Sequence, residues 1–407
     1  MTLDFSLSGN NILKNINLIL NVDRVNYKLN TSLRIHNEQW DEEKKRPKNI
    51  YLKKFKKLNN KLDSLKKELV LYINQRQIQK KEVNQRSLSR VVQRIMDGNI
   101  DLQPDKSLLS IVQIYITDRN DFICHSTYKR YKVFYNLIQR YEGYIMKHLF
   151  IEDINMEFVK NFIAFGKTEK YSENTIYRTI HFVKTILNFV EKKGVRTAVR
   201  EMNIKREIQQ KEIVSLSEKE ILKIKNTNVS EDLKDAKDWL TISCYTGQRF
   251  SDFMKFSADK IINFQGKACI KFIQQKTKKE IILPLHPIVT CILRQNKNSF
   301  PKTLDIVNYN KQIKIIAKLA GINYTLNAKK RIGHRAKLHI VEKWQALTSH
   351  IGRRSFATNF YGKIPTPLLM HATGHSSEQI FLKYINDHDN EKIVSLSEHF
   401  DKVYQNT

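Results

Sequence analysis

The stretch that decides the fold is TGHSSEQIFLKYI, residues 373–385. It contains a Gly-His pair and, nine positions beyond His375, a tyrosine, Tyr384. A tyrosine hydroxyl can act as a covalent nucleophile, and an imidazole can bind an anion or move a proton. Alone, the stretch is also compatible with a helix cap followed by an ordinary core aromatic. Its meaning therefore depends on residues elsewhere in the chain.

Further residues upstream complement this tyrosine: Arg249 in TGQRFSD, Lys276 in QKT, and His350 and Arg353 in HIGR. Two guanidiniums suit the non-bridging oxygens of a phosphate, because each is planar, permanently charged and able to donate two parallel hydrogen bonds. A lysine and two imidazoles can move protons. Each motif alone is weak, since arginines are common in this chain. Together they can surround one phosphodiester and attack it.

The charge balance points to a polyanionic partner. The 407 residues include 71 Lys and Arg against 41 Asp and Glu, a formal net charge of +30. Nucleic acid is the leading candidate for such a partner. The beginning MTLDFSLSGNN lacks a basic segment followed by an apolar one, and no later run approaches the length of a membrane span. We therefore expect a cytoplasmic bacterial protein, associated with the nucleoid and without a membrane partner.

Neither metal nor cofactor is expected. The four cysteines have no paired ligand spacing and are interpreted as reduced thiols: Cys124, Cys244, Cys269 and Cys291. His371 and His375 are four residues apart but lack a third ligand. The chain also has no glycine-rich phosphate loop and no carboxylate cluster suited to Mg²⁺.

The first predicted domain spans residues 1–100. Apolar residues alternate over 16–22 and 25–29, which predicts a β-hairpin, and Leu33, Ile35 and Trp40 would extend it into a small sheet. Apolar residues then follow steps of three and four from Phe55 to Tyr72, the stripe of an amphipathic helix. A polar stretch around Pro104 predicts a linker.

Two further domains are predicted, a helical one over 105–200 and a mixed α/β one over 213–407. Helical periodicity covers 108–116, 128–141, 156–165 and a long helix that Ser172 caps and Gly194 closes. A charged run over 195–212 predicts a linker, and Ser217 to Glu220 form a capping box. Short strands over 268–272 and 280–285 flank Lys276, and helices are predicted after Pro287.

The joint pattern resembles the tyrosine recombinases of the phage integrase family. Thr246 to Asp252 resemble the family's first-arginine box, Gln275 to Thr277 its β-hairpin lysine, 350–353 its second box, and 374–384 its nucleophile segment. The strings RRSFATN at 353–359, TGHS at 373–376 and FLKYI at 381–385 resemble the conjugative-transposon branch in particular. The sequence SENTI at 172–176 resembles the core-binding domain, and the hairpin ending at Trp40-Asp41 resembles the arm-binding domain.

This resemblance implies a multidomain, mainly α fold with small β elements. It consists of an arm-binding domain with a small sheet and a helix, an all-helical SAM-like core-binding domain, and a mixed α/β catalytic domain. The resemblance also implies site-specific DNA recombination through a 3′-phosphotyrosyl intermediate, without ATP. The implied roles are phosphate binding by Arg249 and Arg353, proton transfer by Lys276 and His350, a phosphate contact by His375, support of the first arginine by Asp252, and nucleophilic attack by Tyr384.

The implied partners are double-stranded DNA at core and arm sites, other copies of the chain in a tetramer, and accessory DNA-bending or directionality proteins. An apolar stripe near the end, Ile393, Leu396, Phe400 and Val403, would dock on a neighbouring protomer or on its own domain. Integration or excision of a mobile element is the expected reaction. Three alternatives stay open: a DNA invertase, an enzyme like the type IB topoisomerases, and a DNA-binding regulator on an integrase scaffold.

Overall fold

The computed structural model describes residues 1–49, 52–97, 104, 106–204, 213–332 and 335–385. The chain forms two compact units, one built mainly from residues before 209 and the other mainly from residues after it. The three predicted domain ranges stay predictions. Most of the linker around Pro104, residues 205–212 of the second linker and the apolar stripe at the end lie outside the described residues.

The first unit begins with an antiparallel sheet in the order β1-β2-β3: Thr2–Ser8, Leu13–Val22 and Val25–His36. The predicted hairpin is confirmed as β2 and β3, with Val22 paired to Val25. Asp23 and Arg24 both have positive φ, at 50° and 65°, as a two-residue type I′ turn requires. The sequence analysis missed β1.

The predicted extension of the sheet is only partly right. Leu33 and Ile35 lie within β3, but Trp40 does not join the sheet. It lies in β4 (Trp40–Asp41), which pairs with β5 (Arg46–Pro47) in a separate two-stranded ladder. Trp40 is buried, and the hydrophobic core that contains it supplies its contacts.

Two helices follow the strands. The predicted amphipathic helix is confirmed as α1 (Lys53–Ile78) and is longer than its apolar stripe. Its residues Leu62, Leu65 and Leu69 are fully buried in the same core as the sheet. A second helix, α2 (Gln85–Met96), was not predicted; the side chain of Asn84 caps it.

Four helices complete the first unit: α3 (Leu108–Asp118), α4 (His125–Ile145), α5 (Met156–Thr168) and α6 (Glu173–Glu191). All four predicted helices are confirmed. Ser172 caps α6 as expected, because its hydroxyl accepts the amide of Thr175 at 3.2 Å. The core between these helices is rich in aromatic residues, with Tyr141 in edge contact with Phe158 and Phe162.

Ionisable side chains cluster between α1 and the region of α4 and the residues just after it, and we refer to Lys67, Glu68, Glu142 and His148 as the α1–α4 ion cluster. Lys67 Nζ donates to Glu142 Oε2 at 2.7 Å, and these side chains are 2% and 0% exposed. His148 Nε2 lies 3.1 Å from Glu68 Oε1. Close packing of the two helices is possible because α4 carries Gly143, where a Cβ would lie 2.4 Å from the Asp63 side chain.

The second unit is built around α8 and contains both helices and short strands. In chain order the elements after residue 213 are α7 (Glu218–Asn226), α8 (Glu231–Thr246), α9 (Phe250–Phe253), β6 (Ile261–Phe264), β7 (Lys267–Ile273), β8 (Glu280–Pro284), α10 (Pro287–Gln295), α11 (Ile306–Leu319), β9 (Thr325–Ile332), β10 (Arg335–Glu342), α12 (Lys343–Ala346), α13 (Ile351–Phe360), α14 (Thr366–Thr373) and α15 (Glu378–Leu382).

Most sequence predictions for this unit are confirmed. Ser217 and Glu220 form the capping box of α7. Strands β6, β7 and β8 form an antiparallel sheet, and Lys276 lies on the turn between β7 and β8. The predicted return to helices after Pro287 is confirmed, but hairpin β9–β10, which interrupts them, was not predicted. In the described part of the chain, no helix combines the length and apolar character needed to cross a membrane.

Candidate active site

Arg249 is placed by the end of α8. Gly247 follows the helix with φ +66°, and a Cβ on it would lie 2.5 Å from the ring of Phe356. Glycine therefore allows both the left-handed conformation and the close packing. The chain turns there, and Arg249 becomes the residue that precedes α9.

Asp252 lies behind Arg249, as expected for a supporting residue. Its Oδ2 is 3.9 Å from Arg249 Nη1, and its side chain is fully buried. Its Oδ1 accepts the backbone amide of Gln275 at 2.9 Å. One carboxylate thus contacts both the first arginine and the turn that carries Lys276.

Lys276 is exposed on the turn between β7 and β8. Two backbone hydrogen bonds close this turn, from Gln274 N to Lys279 O and from Lys278 N to Gln274 O, both 2.9 Å long. Lys276 is one of the charges that lower the pKa of His350. The lysine and His350 therefore belong to one electrostatic environment.

Arg353 is the most deeply buried cation of the site, with 1% of its surface exposed. It lies on α13, which packs closely on α8 because Gly352 has no side chain; a Cβ there would lie 2.0 Å from Ser243 Oγ. Arg353 Nη1 donates to Gly247 O at 3.1 Å. Its Nε is buried and finds no acceptor among the described residues. This N–H group is therefore an unsatisfied hydrogen-bond donor inside the site.

His375 is held between Arg353 and Thr373. Arg353 Nη2 donates to His375 Nε2 at 2.8 Å, and Thr373 Oγ1 is 2.8 Å from His375 Nδ1. Because a guanidinium only donates, Nε2 must be the unprotonated nitrogen and Nδ1 must carry the hydrogen. Burial, followed by repulsion from Arg353 and Arg249, lowers the pKa of His375 to about 3. The ring is therefore neutral near pH 7.

Tyr384 is half-buried beside these two residues. Its ring centroid lies 4.9 Å from that of His375 and 5.3 Å from the guanidinium carbon of Arg353. The segment from 378 to 384 consists of α15 and a short turn in which the Tyr384 amide donates to Phe381 O at 2.9 Å. The expected nucleophile thus lies next to the expected phosphate-binding arginine.

The electrostatics favour an anionic ligand. Burial, followed by the charge of Arg249, lowers the pKa of Arg353 to about 10. Burial, followed by repulsion from Arg354 and Arg353, also lowers the pKa of His350. The neighbouring cations repel one another, and a phosphate would relieve that repulsion. Within the described ranges, no group of three or more His, Cys, Asp or Glu residues is arranged to hold a metal ion.

The structure thus gathers residues that are up to 135 positions apart in sequence, from Arg249 to Tyr384. Sequence reasoning missed three polar residues that connect them: Gln248, Gln274 and Thr373. Gln274 Nε2 donates to Gln248 Oε1 and to Thr373 O, each at 3.0 Å. Their positions in the sequence were the one available signal. Gln248 directly precedes Arg249, and Gln274 lies two positions before Lys276.

Two models of known protein families match this chain. Residues 211–391 match the model described as "Phage integrase family", and residues 107–211 match "Phage integrase SAM-like domain". A search of curated proteins finds no match.

Among solved structures, the Tn1549 transposon integrase bound to a circular intermediate DNA is 13% identical and has a TM-score of 0.53; the match covers 71% of this chain and 98% of that one. The XerH recombinase in a post-cleavage complex with palindromic difH substrate is 14% identical and has a TM-score of 0.50; the match covers 83% of this chain and 97% of that one. At these identities the likeness concerns the fold.

The fold and the two family matches define a site-specific recombinase of the tyrosine type. The matched regions are contiguous over residues 107–391, and the chain belongs to the phage integrase family.

Proposed function

We propose that this chain recombines a mobile element, with Tyr384 as the nucleophile and Arg249, Lys276, His350, Arg353 and His375 as its helpers. The observation that carries the assignment is the buried Arg353 guanidinium, whose Nε is unpaired among the described residues. It lies beside a second arginine and in contact with the Tyr384 ring. A phosphodiester oxygen satisfies that N–H and places phosphorus near the tyrosine.

The two arginines stabilise the transition state. Attack on a phosphodiester places additional charge on the equatorial oxygens, and fixed cations around those oxygens lower the barrier. Arg353 is held beside the Tyr384 ring by Gly247 O and by His375. Arg249 is oriented by Gln274 Oε1 at 3.3 Å.

The proton transfers balance within the site. Tyr384 Oη attacks phosphorus, and its proton passes to His350, whose lowered pKa keeps it neutral and able to accept. The bond from phosphorus to the 5′ oxygen breaks, and Lys276 donates a proton to that oxygen. The product is a 3′-phosphotyrosyl bond and a free 5′ hydroxyl. Another 5′ hydroxyl can attack this bond and reverse the chemistry on a new strand.

His375 has two proposed tasks. In the structure its Nε2 accepts a hydrogen bond from Arg353, which holds the guanidinium in place. A contact from His375 to a phosphate oxygen requires a hydrogen on Nε2, hence the other ring tautomer. That change would accompany a turn of Arg353 toward the phosphate.

The proposed substrate is double-stranded DNA at core sites, with arm sites for the N-terminal sheet and helix. The net charge of +30 suits binding dominated by phosphate contacts, which weakens steeply with salt. Exchange of both strands between two duplexes requires four phosphotyrosyl bonds, so we propose four copies of the chain on DNA. Accessory DNA-bending or directionality proteins would determine whether the element enters or leaves, and the enzyme would act on the bacterial chromosome in the cytoplasm.

A covalent-trapping experiment tests the proposal. Nicked duplexes with a randomised core are incubated with the full chain, so that cleavage beside the nick releases a short oligonucleotide and traps the adduct. Adducts that survive denaturant are recovered and sequenced, which also identifies the site. Trapping should persist in EDTA. Tyr384→Phe should abolish it, whereas Tyr361→Phe, in the same unit, should not.

The alternatives give different results in this assay. A regulator on an integrase scaffold forms no adduct. A topoisomerase-like enzyme forms one but relaxes supercoiled DNA as a monomer instead of joining the trapped strand to a second duplex. An invertase joins strands between inverted sites on one molecule. An adduct that survives Tyr384→Phe would refute the assignment of the nucleophile.

A further inference from the structure

Gln274 lies where three segments of the candidate active site meet. It is the residue between β7 and the turn that carries Lys276, and none of its surface is exposed. Buried glutamines are uncommon unless their amides are hydrogen-bonded. The partners of this amide therefore indicate what the residue does.

All four hydrogen-bonding positions of the Gln274 amide are used. Oε1 accepts from Arg249 Nη1 at 3.3 Å and from Thr277 Oγ1 at 2.6 Å. Nε2 donates to Gln248 Oε1 and to Thr373 O, both at 3.0 Å. An arginine only donates and a carbonyl only accepts, so these partners fix the orientation of the amide.

The backbone of Gln274 also closes the turn around Lys276, through its bonds to Lys279 O and from Lys278 N. The side chain reaches Thr373, two residues before His375. Close approach there depends on Gly374, where a Cβ would lie 2.2 Å from Gln274 Oε1. One residue thus contacts the lysine turn, the first arginine and the segment that precedes the histidine.

We infer that Gln274 is a positioning residue that sets the lysine turn relative to Arg249 and His375. The inference rests on the proposed function for the roles of those three residues. Removing the amide leaves two buried acceptors, the Thr373 carbonyl and Gln248 Oε1, without their donor, and these groups must shift to find another. Arg249 loses the acceptor that orients it.

The first test measures the turn itself in the full chain, independently of recombination. Gln274→Met keeps the length of the side chain but removes its hydrogen bonds, and Gln295→Met makes the same change at an exposed position on α10. Hydrogen exchange at the amides of Gln275 and Lys278 should accelerate roughly tenfold or more in Gln274→Met. It should not change in Gln295→Met. Gln274→Glu, which keeps an acceptor for Arg249, serves if the methionine variant folds poorly.

The second test uses a trapped duplex in two forms, with oxygen or with sulfur as the 5′ leaving atom. A thiolate leaves without a proton, so the sulfur substrate bypasses the lysine. Gln274→Met should slow cleavage of the oxygen substrate on the order of 10²-fold while DNA binding is retained. Sulfur should restore part of that loss, because Arg249 remains displaced. The sulfur substrate should restore the cleavage rate of Lys276→Ala more completely, and that of Arg249→Ala hardly at all.

The outcomes separate the two proposals. Any of three results would overturn the positioning role. The first is an unchanged rate of hydrogen exchange in the turn of Gln274→Met, and the second is a wild-type cleavage rate in that variant. The third is an equal loss of cleavage on the oxygen and sulfur substrates, when sulfur does rescue Lys276→Ala. If wild-type protein forms no adduct at all, the proposed function fails, and the exchange measurement still decides whether Gln274 holds the turn.

Discussion

Breaking the α1–α4 ion cluster should destabilise the first unit strongly. Replacing Lys67 with methionine leaves the Glu142 carboxylate, which has no exposed surface, without its ammonium partner at 2.7 Å. The remaining hydrogen bond, from Leu149 N at 3.0 Å, reaches only Oε1, and His148 Nδ1 lies 3.7 Å from Oε2, too far for a hydrogen bond. Loss of one partner of a buried ion pair costs about 3–5 kcal/mol, a large fraction of the roughly 5–15 kcal/mol that stabilises a typical domain.

The double variant Lys67→Met, Glu142→Gln should recover much of this loss. It removes both charges, and the glutamine oxygen can still accept the Leu149 amide. We expect a coupling energy of about 2 kcal/mol or more, with the double variant more stable than either single variant. Lys61→Met, an exposed change on the same helix, should stay within about 0.5 kcal/mol of wild type.

The measurement should follow α4 locally, because a chain with several domains does not unfold in one step. Urea-dependent hydrogen exchange of the α4 amides reports the free energy of opening that helix. Additive losses in the double variant, or a Lys67→Met cost below about 1 kcal/mol, would show that the pair is not buried as described.

Three further predictions concern the active site. Arg353→Lys should reduce trapping by about 10²- to 10³-fold with DNA binding retained, because an ammonium cannot keep the contact with Gly247 O and also bind phosphate through a fork; wild-type trapping would contradict this. Because burial and neighbouring guanidiniums lower the pKa of His350, its neutral ring persists below pH 6.5. The second-order rate constant for cleavage should therefore fall only in more acidic solution. A fall with its midpoint above pH 6.5 would refute the role of His350 as the proton acceptor. Gly374→Ala should lower both trapping and the melting temperature, because residue 374 has φ +70° and the added Cβ would meet the Gln274 amide. The control Gly362→Ala, at φ +79° with open space around its Cβ, should lower only the melting temperature.

The elements with strong periodicity were predictable from sequence. The stripe from Phe55 to Tyr72 and the cap at Ser172 depend on neighbours within a few positions, and both correspond to observed helices. Strand β1 was not predicted because its alternating pattern is short, with only Leu3 and Phe5 buried, and its pairing with β2 is set by packing. Hairpin β9–β10 was missed for a physical reason: Leu338 and Ile340 in β10 are exposed, so these apolar residues do not mark a buried face.

The candidate site residues could be proposed as a set from sequence, and the structure brings several of them together, but the contacts between them could not be predicted. The spacing of Arg249, Arg353 and Tyr384 indicates the chemistry. It does not reveal that Gln274 connects segments 25 and 99 positions away, because those partners are set by packing. The α1–α4 ion cluster was hidden for the same reason, since Lys67 and Glu142 look like ordinary surface charges in sequence.

The unpaired Nε of Arg353 also bears on how long the protein survives in a cell. Two adjacent guanidiniums, one of them buried, make the folded catalytic unit less stable than it would be with uncharged side chains at these two positions. A ligand that binds only the folded state adds stability by mass action, about 2.7 kcal/mol at a hundred times its dissociation constant. Copies seated on a DNA site therefore open less often to proteases than copies that are free. Proteolysis in the cell would thus remove first the copies that are not bound to DNA.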